Sequence, residues 1–105
     1  MAIMSRARII GTGSCVPQRI LSNNVLEIIV DASDKWITRR TGIKERRISA
    51  KGRGETTTDL AVHAALKAME TASISGADLD MIVVGTVTPD RPVSLCRLLG
   101  IPSMR

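Results

Sequence analysis

Residues 56–72, TTTDLAVHAALKAMETA, are followed after a short turn by a nearly continuous apolar run from Met81 to Val87, and these two stretches constrain the fold more than any others. In the first, Leu60, Ala61, Ala64, Ala65, Ala68, Met69 and Ala72 recur at helical spacing and make one apolar face. Thr57 or Thr58 can cap it, and Asp59 suits the positive end of the helix dipole. So many alanines let such a helix sit close to a sheet. After a turn at Ser75 to Ala77, the second stretch reads as a strand buried on both faces. Ala7 to Ile10, ahead of GTGSCVP, reads as an earlier strand ending in a turn. Strand, helix and buried strand in that order predict a right-handed βαβ unit in a parallel sheet, hence an α/β fold. The tail RPVSLCRLLGIPSMR offers one helical turn around Leu95 to Leu99 and no further strand, so the sheet is expected to be incomplete.

Between these segments, SNNVLEIIV predicts a short amphipathic helix with Ser22, Asn23 or Asn24 as its cap. In DASDKWITRRTGI, Ser33 or Asp34 can cap a second short helix, and Gly42 supplies the left-handed position that ends it. Trp36 and Arg40 are then i, i+4 neighbours on one face. IKERRISAKGRGE reads as a strand end at Ile48 followed by an exposed loop, the stretch expected to be most flexible.

A length of 105 residues fits one small domain, and with neither Phe nor Tyr present its core must be aliphatic. The net charge of +5 is local in origin: Lys35, Arg39, Arg40, Lys44, Arg46, Arg47, Lys51 and Arg53 fall within residues 35–53 with Glu45 as the one acid. Such a segment calls for an anionic partner or a solvated surface. Cys15 and Cys96 are too far apart, and too few, for a disulfide framework, and both read as reduced thiols. No signal peptide and no membrane span is expected, so the sequence is read as soluble and cytoplasmic.

GTGS invites a dinucleotide fingerprint, but its third glycine would fall at Val16, and a tight turn is the plainer reading. His63 has neither a second His nor a spaced Cys for a metal and reads as a surface residue; no metal site is expected. Neither cysteine shows a base or an orienting partner in the sequence. The remaining constellation is Trp36 with Arg39, Arg40 and Thr41. An indole can stack on a purine, guanidinium groups fork phosphate, and a hydroxyl can complete the cradle. The alternative is a half-buried Trp beside solvated arginines.

WITRRTGIKERRI, residues 36–48, resembles the W-I-x-x-R-T-G-I-x-x-R segment of the β-ketoacyl-acyl-carrier-protein synthase III family. IIGTGSCVP resembles that family's first strand and turn, and residues 56–90 its first long helix and following strand. The resemblance runs from about residue 7 to 92. It implies the thiolase-like fold, a mixed sheet with packed helices, of which residues 1–105 would be an incomplete N-terminal domain lacking the end of the N-terminal half and all of the C-terminal half. It also implies a homodimeric enzyme that condenses an acyl group from coenzyme A with malonyl-acyl carrier protein, losing carbon dioxide, to start fatty acid synthesis. Acyl-coenzyme A would be the substrate, with no permanently bound cofactor and neither nucleic acid nor membrane as partner. By position, Trp36 would stack on the adenine while Arg40 and Thr41 contact the nucleotide. Ala32 stands where the family often carries a coenzyme-binding Thr, and after Asp90 the chain is shorter than the family pattern. The family's nucleophilic Cys and its catalytic His and Asn would lie beyond Arg105, so no catalytic residue is assigned and the chain alone is expected to be inactive. Cys96 does not take the nucleophile's place. Two other readings are a small basic module that binds nucleic acid and a truncated, non-catalytic subunit that pairs through an exposed sheet edge.

Overall fold

A computed structural model describes residues 6–50, 52–90 and Leu99. The chain divides into two compact units, one of residues 16–56 and one combining residues 1–15 with 57–105.

In the unit of residues 16–56 the order is β1 (Arg19–Ser22), α1 (Asn23–Ile29), α2 (Asp34–Thr41) and β2 (Glu45–Ile48). β1 and β2 form an antiparallel pair in which Arg19 faces Ile48 and Ser22 faces Glu45. The Arg47 guanidinium extends the pairing by donating to the Pro17 and Gln18 carbonyls, each at 3.3 Å. Beyond β2 the exposed stretch is tied back by Glu55. Its carboxylate accepts from the Ala50 and Gln18 amides at 2.9 and 3.4 Å, and its carbonyl accepts from the Ser49 hydroxyl at 2.9 Å. Within the same stretch the Arg53 amide donates to the Ala50 carbonyl at 3.3 Å, and glycines 52 and 54 lie in the left-handed region.

The other unit is built on α3 (Thr57–Ala72), close to the helix the alanine pattern predicts. Its capping differs from expectation. The Asp90 carboxylate, far along the chain, accepts from both the backbone amide and the hydroxyl of Thr58 at 2.8 Å, and the Thr57 hydroxyl donates to the Thr88 carbonyl. The C-terminus closes as a Schellman motif on a non-glycine residue. Ser73 adopts φ 55°, its amide donates to the Glu70 carbonyl, and the Ile74 amide donates to that of Met69. Val62 and Met69 are buried with Leu99, and Ala65, Ile74, Leu79 and Ile82 pack around them. Spacings of three, four and seven put Val62, Ala65 and Met69 on one face. Residues 76–78 form a 3-10 turn whose capping box joins Ser75 and Asp78.

Three expectations need correction. Ala7–Ile10 and Met81–Val87 are not strands: the only sheet among the described residues is β1–β2, and the parallel βαβ unit is not formed among them. An apolar run identifies a segment able to pair, whereas pairing needs a neighbour's amides and carbonyls. Nor is residues 81–87 buried on both faces, since Met81, Val83 and Val87 are exposed while Ile82 reaches the core. Glycines 11 and 13 do not form the tight turn expected of them. They lie against α3 so closely that a Cβ would meet the Ala68 carbonyl oxygen at 2.5 Å and the Ala64 carbonyl oxygen at 2.4 Å. The alanines thus bring α3 up to an extended segment through its glycines. The helical turn predicted around Leu95–Leu99, and Cys96 with it, lie outside the described residues apart from Leu99, which is buried.

Candidate functional site

α2 carries the candidate site, and local signals account for its limits. The Ser33 hydroxyl accepts from the Trp36 amide at 3.1 Å, and the Glu27 carboxylate takes the Asp34 amide. Asp34 sits in the first turn and Arg39 and Arg40 in the last, each complementing the helix dipole. Gly42, at φ 72°, ends the helix as expected.

Ile37 points inward and is buried, which leaves Trp36 outside with 54% of its surface exposed. One turn on, the Arg40 guanidinium carbon stands 5.3 Å from the centre of the indole. Trp36, Arg39 and Arg40 together line an open groove of about 430 Å³. Both guanidinium groups thus face the same groove as the indole. Thr41 is placed differently from the other sequence candidates. Its hydroxyl donates to the Ile37 carbonyl at 2.8 Å and accepts from the Ile43 amide at 3.0 Å, which commits it to closing the helix. Its oxygen keeps accepting capacity, while its proton is already used.

Beneath α2 lies a residue that sequence reasoning treated only as a possible cap. Asn23 is 1% exposed. Its amide nitrogen donates to the Asp34 carboxylate at 2.8 Å, the Ile43 carbonyl at 2.7 Å and the Thr38 hydroxyl at 3.3 Å, and its oxygen accepts from Arg46 at 2.8 Å. Its backbone amide donates to the Lys44 carbonyl at 3.0 Å. No local pattern announces this, because the side-chain partners are 11 to 23 positions away. A second open groove of about 640 Å³ runs beside it, rimmed by Lys35, Arg39 and Lys44.

The remaining sequence candidates lie in the other unit. His63 is exposed, with Nδ1 at 2.8 Å from the Asp59 carbonyl oxygen, as a surface residue should be. Cys15 is a half-buried free thiol. No helix among the described residues is long and apolar enough to cross a membrane.

No family model matches the chain. Individual relatives do. The chain is 56% identical over 94 residues to the β-ketoacyl-acyl-carrier-protein synthase III of Xylella fastidiosa strain Temecula1, a match covering 88% of this chain and 28% of that protein. Among solved structures, the 3-oxoacyl-acyl-carrier-protein synthase III of Aquifex aeolicus superposes with a TM-score of 0.77 at 47% identity, over 88% of this chain and 30% of that one. The priming β-ketosynthase of the R1128 polyketide biosynthetic pathway superposes with a TM-score of 0.74 at 32% identity, over 89% and 29%. The chain thus spans less than a third of the length of these relatives. In sequence and in its partial thiolase-like α/β fold, the chain is similar to β-ketoacyl-acyl-carrier-protein synthase III enzymes over that share of their length.

Proposed function

We propose that these residues are the N-terminal portion of a condensing enzyme and carry the part of it that grips the nucleotide of an acyl-coenzyme A. The observation that supports this most is the exposed Trp36 with the Arg40 guanidinium 5.3 Å from its ring centre and Arg39 on the same groove. An adenine needs a flat apolar face and its phosphates need fixed cationic forks, and this surface presents both within one helical turn. Thr41 would contribute through its oxygen as an acceptor.

The complete enzyme, a homodimer in this reading, transfers the acyl group to a cysteine and condenses it with malonyl-acyl carrier protein as carbon dioxide leaves. That chemistry needs an activated thiol, a paired base and donors for the thioester oxygen. The one histidine here, His63, stands exposed on α3 against the Asp59 carbonyl. Acyl transfer is accordingly expected from the longer enzyme and not from these residues alone. Nothing favours the nucleic-acid-binding alternative, since one aromatic side chain is too few to stack successive bases.

Because Trp36 is the sole aromatic, its emission reports this groove alone. Titrating coenzyme A into the 105-residue chain should change Trp36 emission saturably, while pantetheine, which lacks the nucleotide, should leave it unchanged. Equal responses to the two compounds, or none to either, would remove the assignment.

A further inference from the structure

We propose that Asn23 is the positioning residue of the Trp36–Arg40 face, a buried amide that sets where α2 stands. As a statement about ligand binding this rests on the coenzyme reading above. As a statement about α2 it does not.

α2 has eight residues, too few to persist by its own hydrogen bonds, and Ile37 is its one buried apolar side chain. Its placement must come from elsewhere. Asn23 holds it at three points: Asp34 in the first turn, Thr38 in the middle, and the Ile43 carbonyl just past the glycine that ends it. The two amide hydrogens serve these three acceptors, with Thr38, the longest contact at 3.3 Å, sharing one. The Thr38 hydroxyl also donates to the same Asp34 oxygen at 3.1 Å, closing a ring of bonds. At its other end Asn23 accepts from Arg46, which ties the assembly to β2.

Only a side chain with donors on one side and an acceptor on the other satisfies all of these partners. Aspartate would set a second carboxylate against Asp34 and leave the Ile43 carbonyl without a donor. Alanine would leave these part-buried contacts unmade, and such losses cost stability where water is partly excluded. Asp34 and Thr38 share one face of the helix, and Trp36 and Arg40 lie about 200° around from them, at about 100° per residue. Asn23 therefore grips α2 from behind the groove and acts through the helix.

The test uses the 105-residue chain with Asn23→Asp, Asn23→Ala and the near-isosteric Thr38→Val. Two readouts are taken under conditions where far-UV circular dichroism shows the native helix content: the near-UV band and anisotropy of Trp36 without ligand, and the affinity for coenzyme A. A role confined to stability would lower the unfolding midpoint and leave both unchanged in the folded protein. Positioning predicts a weakened Trp36 band, lower anisotropy and an affinity reduced about tenfold in Asn23→Asp, with Thr38→Val shifted the same way by about twofold. Wild-type Trp36 signals in both Asn23→Asp and Thr38→Val would overturn the proposal. If the Asn23 variants do not fold, Thr38→Val decides by the same criterion. If the wild-type chain fails to bind coenzyme A, the coenzyme reading falls, and the ligand-free Trp36 signals still decide the role of Asn23.

Discussion

Trp36 stands in water because Ile37 takes the inward position of α2, and the arginines one turn further on give its exposed ring a cationic neighbour. Removing the ring should therefore cost binding far more than folding. Trp36→Ala is expected to weaken coenzyme A binding by roughly 1–3 kcal/mol, the scale of base stacking on aromatic side chains. Calorimetry on the variant checks this, and an unchanged affinity would make Trp36 a packing residue. A second residue-scale expectation concerns Asp78. Hydrogen bonds from the Ser75 amide, and then from its hydroxyl, hold the Asp78 carboxyl below its ordinary value of 3.8. A depressed value in the folded state means that the charged form is the one bound. The capping box is thus fully present above the unfolded value and is lost as the pH falls through the lower, folded one. The Asp78 carboxyl carbon followed by NMR should titrate below 3.8 in the native chain, and Ser75→Ala should move its midpoint up.

Elements were legible where their signals are local. α2 follows its sequence closely, with Ser33 capping and Gly42 in the left-handed region, because both devices act within a few residues of the helix end. The Trp36–Arg40 pair was legible for the same reason, as an i, i+4 relation. What the sequence hid depends on distant partners. Asp90 accepts from the first turn of α3 across 32 positions, Arg19–Ser22 becomes a strand only against Glu45–Ile48, and the bonds of Asn23 reach as far as Arg46. The far end of α3 shows a compromise that invites a test. A left-handed conformation costs a residue with a Cβ roughly 1–2 kcal/mol, part of which glycine returns as entropy lost on folding. Ser73→Gly should then stabilise the unit containing α3 by about 0.5–1 kcal/mol, read as a higher urea midpoint with unchanged slope. A loss of stability would mean that the serine side chain contributes more than its backbone strain costs.

At the scale of the whole molecule the charge and the apolar surface point to different tasks. Eight of the basic residues fall within 35–53, the stretch that holds the groove proposed for an anionic ligand, while most of the apolar residues left in water lie outside that stretch. Along 81–87 the chain is neither helix nor strand, with Ile82 packed on the core of its unit and Met81, Val83 and Val87 exposed, Val87 at 97%. Ile9 and Ile10, at 84% and 53%, are exposed in the other segment whose sequence predicts a strand. A β-prone stretch that exposes apolar side chains and joins no sheet among the described residues is a template for pairing with another chain. The 105-residue chain in isolation should therefore bind a hydrophobic dye and sediment with a mass that rises with concentration. Val83→Lys with Val87→Lys should reduce both effects without altering the Trp36 response to coenzyme A, because these positions lie in a different unit from α2. A dye-silent monomer at every concentration would show that these residues are covered within the chain, and would count against a role as a pairing subunit.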